Sequence, residues 1–421
     1  MKRPRVVVVG AGFAGLQAAK RLGKRPVDLI VIDKRNHHLF QPLLYQVATA
    51  ALNPADIASP IRRVLRRQAN TEVILGEVEE VDLKGRAVKV DGEKLSYDYL
   101  VLAAGATSSY FGNERWEPDA PSLKTLSDAL EVRHRILIAF ENAESEDDER
   151  ARQAWLTFAI IGGGPTGVEL AGAIGEISRH TLAADFRWID PRDARVILVE
   201  AKDRLLPTFG SGLGLKAQQR LEKLGVEVLI NTSVVEIATN FVRIVSHDGV
   251  ETQIEAKTSI WAAGIQASPL GKALGIETDR SGRVKVSQDL SIPGHPEVFV
   301  IGDLAVSIDD PLPAVAPVAM QQGRHVAGNI ARNLRGLPST PFAYREKGML
   351  AAIGRASAVA ELKHMTMSGW TAWILWLFVH IYYLIGFRNR VIVMLQWAWA
   401  YVTHERGARL ITGEHRGRSG R

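Results

Sequence analysis

Two stretches of the chain carry glycines at the spacing that lets a backbone wrap a pyrophosphate. The first is Arg5-Val-Val-Val-Val-Gly10-Ala-Gly12-Phe-Ala-Gly15, followed by a helical stretch to about Gly23. Gly10 suits a tight turn, Gly12 lets the main chain approach a phosphate, and Gly15 lets the helix pack close to the strand. The pyrophosphate would sit on the helix N-terminus, where open N–H groups and the helix dipole favour negative charge. A second apolar run, residues 27–32, ends in Asp33, 18 residues after Gly15, where a carboxylate can accept both hydrogen bonds of a ribose diol. The pattern returns in Thr157-Phe-Ala-Ile-Ile-Gly162-Gly-Gly164-Pro-Thr-Gly167, and the later run Arg195–Val199 ends in Glu200. Glu200 stands 38 residues from Gly162, which calls for an inserted stretch; residues 186–193 supply one, with turn residues and no periodicity. Two such motifs with their flanks imply two dinucleotides.

The elements that must position these turns are also legible. Tyr97-Asp-Tyr-Leu-Val-Leu-Ala-Ala-Gly105 and Thr258-Ser-Ile-Trp-Ala-Ala-Gly264 are parallel cases of an apolar strand ending in Ala-Ala-Gly. Each would return the chain to its own dinucleotide turn, where small residues let backbones pass closely. Val298-Phe-Val-Ile-Gly302-Asp303 is another strand, and its natural home is the first unit. The fold expected is therefore α/β, with two Rossmann-like domains, the second inserted in the first, and a C-terminal helical segment that anchors to a membrane. The ranges expected are 1–115 with 283–345, 116–282, and 346–421. The four valines that open the chain read as a buried strand rather than a secretory signal, because three glycines follow with no cleavage site. The six carboxylates of residues 141–149 read as a solvated helix end or linker, not a metal site.

Composition narrows the chemistry. The 421-residue chain contains no cysteine, which excludes disulfide scaffolds, Cys-ligated zinc, iron–sulfur clusters and redox dithiols. Any electron chemistry must be carried by a bound cofactor. The net charge is +6, and +5 of it falls in residues 388–421, where arginines 388, 390, 406, 409, 416, 418 and 421 face Glu405 and Glu414. Ten of the 29 aromatics crowd into residues 368–402. His37-His38 lacks a third ligand in pattern, so metal binding is not expected. Arg62, Arg63, Arg66 and Arg67 lie at helical spacing and make one solvated face rather than a nucleic-acid site.

Taken together, the chain resembles the two-dinucleotide-binding-domain flavoproteins, and among them the type II NADH dehydrogenases, single-subunit NADH:quinone oxidoreductases that do not pump protons. The resemblance runs over essentially the whole chain. It rests on Asn36-His-His-Leu-Phe-Gln-Pro42-Leu-Leu-Tyr45, on residues 162–172 with Glu169, on Gln321-Gln-Gly323, on Phe342-x-Tyr344-x-x-Lys347-Gly348 and on the aromatic C-terminal segment. It implies FAD on Gly10, Gly12, Gly15, Asp33, His38, Gly105, Gly302, Asp303 and Ala319. It implies NADH on Gly162, Gly164, Gly167, Glu200 and Gly264, with Glu169, Gln321 and Lys347 as catalytic residues. Glu169 would project from the first helical turn toward nicotinamide and flavin; otherwise it would serve only to complement the helix dipole. Glu200 favours NADH, since a carboxylate there repels a 2′-phosphate. The family often shows Ala-Gln-x-Ala-x-Gln near the quinone, and here Pro317 replaces the first glutamine.

The terminus completes the expectation. Residues 370–387 are 18 positions without a charge, and 391–402 only twelve. One span would put the arginine-rich tail opposite the nucleotide domains, against the positive-inside rule. Two short helices lying in the interface fit better, with tryptophans at headgroup depth and arginines on phosphates. The expected partners are a quinone and a membrane surface met by 368–421, at the cytoplasmic face of the cell membrane, as a peripheral or monotopic protein, with no nucleic acid. The alternative packing buries the aromatics in a core or a homodimer. Competing functions are a soluble NADH-dependent reductase of a ferredoxin-like protein, for which the basic aromatic tail has no use, and a non-catalytic flavin-bearing interaction protein.

Overall fold

A computed structural model describes residues 3–309, 311–403 and 405–411. The chain divides into two compact units, each discontinuous in sequence: 1–39, 58–107 and 265–347 make the first, and 40–57, 108–264 and 348–421 the second.

The first unit is built on a sheet in the order Ser291–Ile292, His295–Val300, Tyr99–Leu102, Arg5–Val9, Asp28–Asp33, Thr71–Leu75. All neighbours run parallel except the Ser291–Ile292 edge. Val6, Val7 and Val8 have no accessible surface, which is why this strand reads as an unbroken apolar run. The Phe13–Leu22 helix leaves it at Gly12 and packs against the Ala316–Asn333 helix. That approach depends on Gly323, where a Cβ would lie 2.1 Å from the Ala14 carbonyl oxygen. The strand His295–Val300 pairs with Tyr99–Leu102, so the chain does return to the first sheet after its long excursion.

The second unit repeats the plan: Val226–Leu229, Arg195–Val199, Thr157–Ile161 and Thr258–Trp261, all parallel. Each unit also carries an antiparallel three-stranded layer, at Val78–Asp82, Ala87–Val90 and Glu93–Ser96 and at Thr232–Ala238, Phe241–Ser246 and Glu251–Glu255. The stretch before Arg195–Val199 is a π-turn, Ile177–Thr181, and a loop whose Arg187, Trp188 and Ile189 amides donate to the Glu144 carboxylate at 2.9–3.1 Å. Glu144 is the last residue of the Leu126–Glu144 helix, inside the acidic stretch expected to be a solvated helix end or linker. Among the described residues no group of three potential metal ligands converges.

The C-terminal segment clusters with the second unit, as do residues 40–57, while 265–282 cluster with the first. It begins with an antiparallel sheet, Met349–Ala352, Ala358–Leu362 and Met365–Gly369, and continues as helices Trp370–Tyr383 and Phe387–Thr403. Among the described residues no helix is long and apolar enough to cross a membrane.

Candidate functional site

The first glycine turn has the geometry of a ligand cradle. Gly10 has φ +93°, and a Cβ there would lie 2.4 Å from the Ala103 carbonyl oxygen, so both conformation and space require glycine. A Cβ on Gly15 would lie 1.8 Å from the Gly10 carbonyl oxygen. Gly12 differs: no heavy atom stands within 4 Å of its Cβ position, and it caps the helix without a side-chain hydrogen bond. Room and unspent helix N–H groups are what a pyrophosphate needs. Asp33 closes the turn, accepting from the Ala11 amide at 2.6 Å and the Arg35 amide at 2.8 Å. Buried His38 donates Nδ1–H to the Ala11 carbonyl at 2.9 Å and meets Phe13 edge-on; burial lowers its pKa to about 4, so the ring is neutral at pH 7.

Beside this turn, with its Cβ position 3.3 Å from the Ala14 Cβ, Gly302 has φ +72° and opens a short turn containing Asp303. These two, with Val318, Ala319 and Gln322, line a cavity of about 210 Å³. The residues present fit FAD: an open pyrophosphate turn, a carboxylate at a strand end, and a Gly-Asp turn beside a cavity. Gly105, with φ +69°, ends the Ala-Ala-Gly strand that supports Gly10.

The second turn repeats the plan of the first. Gly162 has φ +112° and its Cβ would clash with Ala262 at 2.8 Å; a Cβ on Gly167 would lie 1.8 Å from the Gly162 carbonyl oxygen; Gly164 faces open space. Glu200 accepts from the Gly163 amide at 2.6 Å and the Lys202 amide at 2.8 Å, as Asp33 does in the first unit. Gly264 has φ +73°. The larger spacing to Glu200 is absorbed by the π-turn and its loop and leaves the acid in the equivalent place.

Glu169 departs from expectation. It is the fifth residue of the Pro165–Glu176 helix, which has no acid in its first turn, so it is not placed to complement the dipole. Its carboxylate accepts from the Ala352 amide at 3.2 Å. Burial pushes its pKa up to about 8, with the Ala352 bond and the nearby Trp376 indole moderating the rise. Buried Tyr45 belongs to the same cluster; burial and the charge of Glu169 raise its phenol well above the usual value, and Gln46 donates to its oxygen at 3.1 Å. Trp397 donates to Gln46 at 2.7 Å, and Trp376 stacks on His380 at 4.1 Å. Buried Arg406 binds the Thr49 carbonyl at 2.8 Å and Glu176 at 3.3 Å.

The other expected catalytic residues lie in the first unit. Both ends of the Gln321 amide are spent on Arg345, donating to its carbonyl at 2.9 Å and accepting from its amide at 3.1 Å. Its neighbour Gln322, not singled out from the sequence, is buried and accepts from Gly302 at 2.7 Å. The helix period would have found it, since Ala319, Gln322, Gly323 and Val326 share the buried face. Lys347 is exposed, its amide 3.4 Å from the Tyr344 hydroxyl. Pro317 occupies the first turn of the Ala316–Asn333 helix, where a missing N–H costs nothing.

The tail arginines also need correction. Arg390 donates to the Leu384 and Tyr382 carbonyls at 2.8 and 2.7 Å, capping the helix before it, and Arg409 pairs with Asp185. With Arg406 buried, these three are spent on protein rather than offered to phosphates. Arg416, Arg418 and Arg421 lie outside the described residues. The aromatics divide: Trp376 is buried, while Trp370, Phe378, Tyr382, Phe387 and Trp399 are more than half exposed.

Comparison with known proteins agrees with this duplicated plan. The family model for pyridine nucleotide-disulphide oxidoreductases matches residues 4–323, and the model for the NDH2 C-terminal domain matches 347–403. A type II NADH:quinone oxidoreductase of Mycobacterium tuberculosis is 45% identical over 98% of this chain and 91% of its own length. One from Staphylococcus haemolyticus is 33% identical over 87% and 92%. The structure of NDH2 from Plasmodium falciparum in complex with NADH superposes with a TM-score of 0.90 at 19% identity, covering 98% of this chain and all of that one.

Proposed function

This chain belongs to the type II NADH:quinone oxidoreductases, flavoproteins of the pyridine nucleotide-disulphide oxidoreductase superfamily, and we propose that its first unit holds FAD and its second NADH. The activity is NADH:quinone oxidoreduction. The absence of cysteine means that electrons reach quinone without a thiol pair, despite the disulphide chemistry in the superfamily's name. The NDH2 C-terminal match at 347–403 sets aside the soluble reductase of a ferredoxin-like protein.

The observation that carries the assignment of ligands is the doubled cradle. Bound FAD would supply the acceptor for hydride and pass electrons on singly or in pairs; the protein binds and orients. Gly10, Gly12, Gly15 and Asp33 would hold the FAD pyrophosphate and ribose, with His38 and Gly105 shaping the turn and Gly302, Asp303 and Ala319 beside it. Gly162, Gly164, Gly167, Glu200 and Gly264 would do the same for NADH. The functional ranges we assign are 1–115 with 283–345 for FAD, 116–282 for NADH and 346–421 for the C-terminal region. Glu169 holds a proton at neutral pH, which suits a donor for quinone reduction, a step that consumes two protons. Gln321, in the second turn of the Ala316–Asn333 helix, and exposed Lys347 are the polar groups we assign to the quinone side.

The exposed rings of 370–402 would meet the membrane surface. Five rings each burying on the order of 100 Å² give at most ~12 kcal/mol, which outweighs the ~1 kcal/mol from an exposed arginine such as Arg388. A homodimer through the same rings is the competing use. NADH oxidation by the purified protein with ubiquinone, menaquinone and ferricyanide analogues tests the reading. Turnover with quinones is expected; slow turnover with every acceptor would contradict it.

A further inference from the structure

Phe111 combines two unfavourable features. Its backbone sits at φ +54°, a left-handed conformation strained for a bulky residue, and its side chain is 68% exposed. The segment is nevertheless tied down by its neighbours. Its amide donates to the Ser109 hydroxyl at 3.3 Å, and Ser109 in turn donates its amide to the Gly264 carbonyl and accepts from the Trp261 indole at 2.9 Å. Tyr110 stacks on Trp261 at 5.0 Å and anchors its hydroxyl on the Ala120 carbonyl. The ring of Phe111 is thereby laid over Gly264, so closely that a Cβ there would come within 2.6 Å of it.

The strand order says what passes this point. Glu200 ends the strand on one side of Thr157–Ile161, and Thr258–Trp261, leading to Gly264, lies on the other. With a ribose on Glu200 and the pyrophosphate on Gly164 between them, the remaining half of a dinucleotide extends toward Gly264. We propose that Phe111 is an aromatic plate for the nicotinamide half of NADH, a binding residue whose strain is kept because its ring face is used. This rests on the assignment of NADH to the second unit.

The test is isothermal titration of the flavin-loaded full chain with NAD⁺ and, separately, with ADP-ribose, which keeps the pyrophosphate and both riboses but lacks nicotinamide. For Phe111→Gly the NAD⁺ dissociation constant should rise on the order of ten-fold while that for ADP-ribose changes less than about two-fold. The melting temperature should not fall, since glycine relieves the strain. Phe111→Leu should also lose NAD⁺ affinity, and Phe111→Tyr should keep it. Unchanged NAD⁺ affinity in Phe111→Gly, equal weakening of both ligands, or wild-type NAD⁺ binding by Phe111→Leu would overturn the plate. Gly164→Val is the control, because its new atoms face open space in the protein. Undiminished ADP-ribose binding by that variant would instead refute the NADH assignment beneath the proposal.

Discussion

Glu169→Gln has a consequence that can be worked out from the site. The Glu169 carboxyl titrates near 8 rather than its ordinary 4.5, chiefly because burial penalises the charged form. Unfolded chains ionise this group near 4.5, while folded ones keep the proton until near 8. Its contribution to stability is therefore whole below the lower value and is lost as pH climbs through the upper one. Between pH 6 and 9 the folded state forfeits about two pKa units, worth about 3 kcal/mol. Part of the side chain remains accessible, so solvent screening makes ~3 kcal/mol a ceiling and ~1–2 kcal/mol the working expectation. Glutamine has no such titration and keeps an acceptor for the Ala352 amide. Urea unfolding followed by tryptophan fluorescence should thus show the variant gaining on the wild type by ~1–3 kcal/mol from pH 6 to pH 9. The pH–rate profile should lose an inflection near 8. A stability difference that stays flat across this range, with the inflection retained, would refute the reasoning.

Three further outcomes follow. Glu200→Gln should raise the ratio of NADPH to NADH kcat/KM on the order of ten-fold by removing the charge opposed to a 2′-phosphate; an unchanged ratio would show that the acid does not face that ribose. Arg406→Met should cost about 3–5 kcal/mol in denaturant unfolding, because it removes the charge partner of Glu176 and a donor to two carbonyls, and Glu176→Gln in the same chain should recover part of the loss. Wild-type protein on anionic vesicles should resist a high-salt wash and be released by detergent, with Phe378→Ser and Trp399→Ser together weakening retention; release by salt alone, or a dimer that buries these rings and ignores vesicles, would exclude the membrane surface.

Legibility in the sequence followed the range of the interactions. The glycine turns, their acids and the Ala-Ala-Gly strands are local patterns, and their steric reasons act over a few residues or between neighbouring strands. The unusual spacing to Glu200 corresponds to a π-turn and loop between the helix and the Arg195–Val199 strand. The antiparallel layers are less legible because their strands are short and partly exposed. The cluster around Glu169 was illegible for a different reason: Tyr45, Ala352, Trp376 and Arg406 meet only through tertiary packing, and Arg406 and Glu176 are 230 positions apart. Counting tail arginines as free charge failed for the same cause, since a count cannot show that Arg390, Arg406 and Arg409 are spent on carbonyls and carboxylates.

Anaerobic titration of the purified protein, followed by flavin absorbance, bears most directly on the claim that NADH is oxidised through a bound flavin and the electrons go on to quinone. We predict that one equivalent of NADH per flavin bleaches the band and that one equivalent of quinone restores it. A protein without bound flavin, a band that NADH leaves unchanged, or a bleached flavin that quinone cannot reoxidise would contradict it.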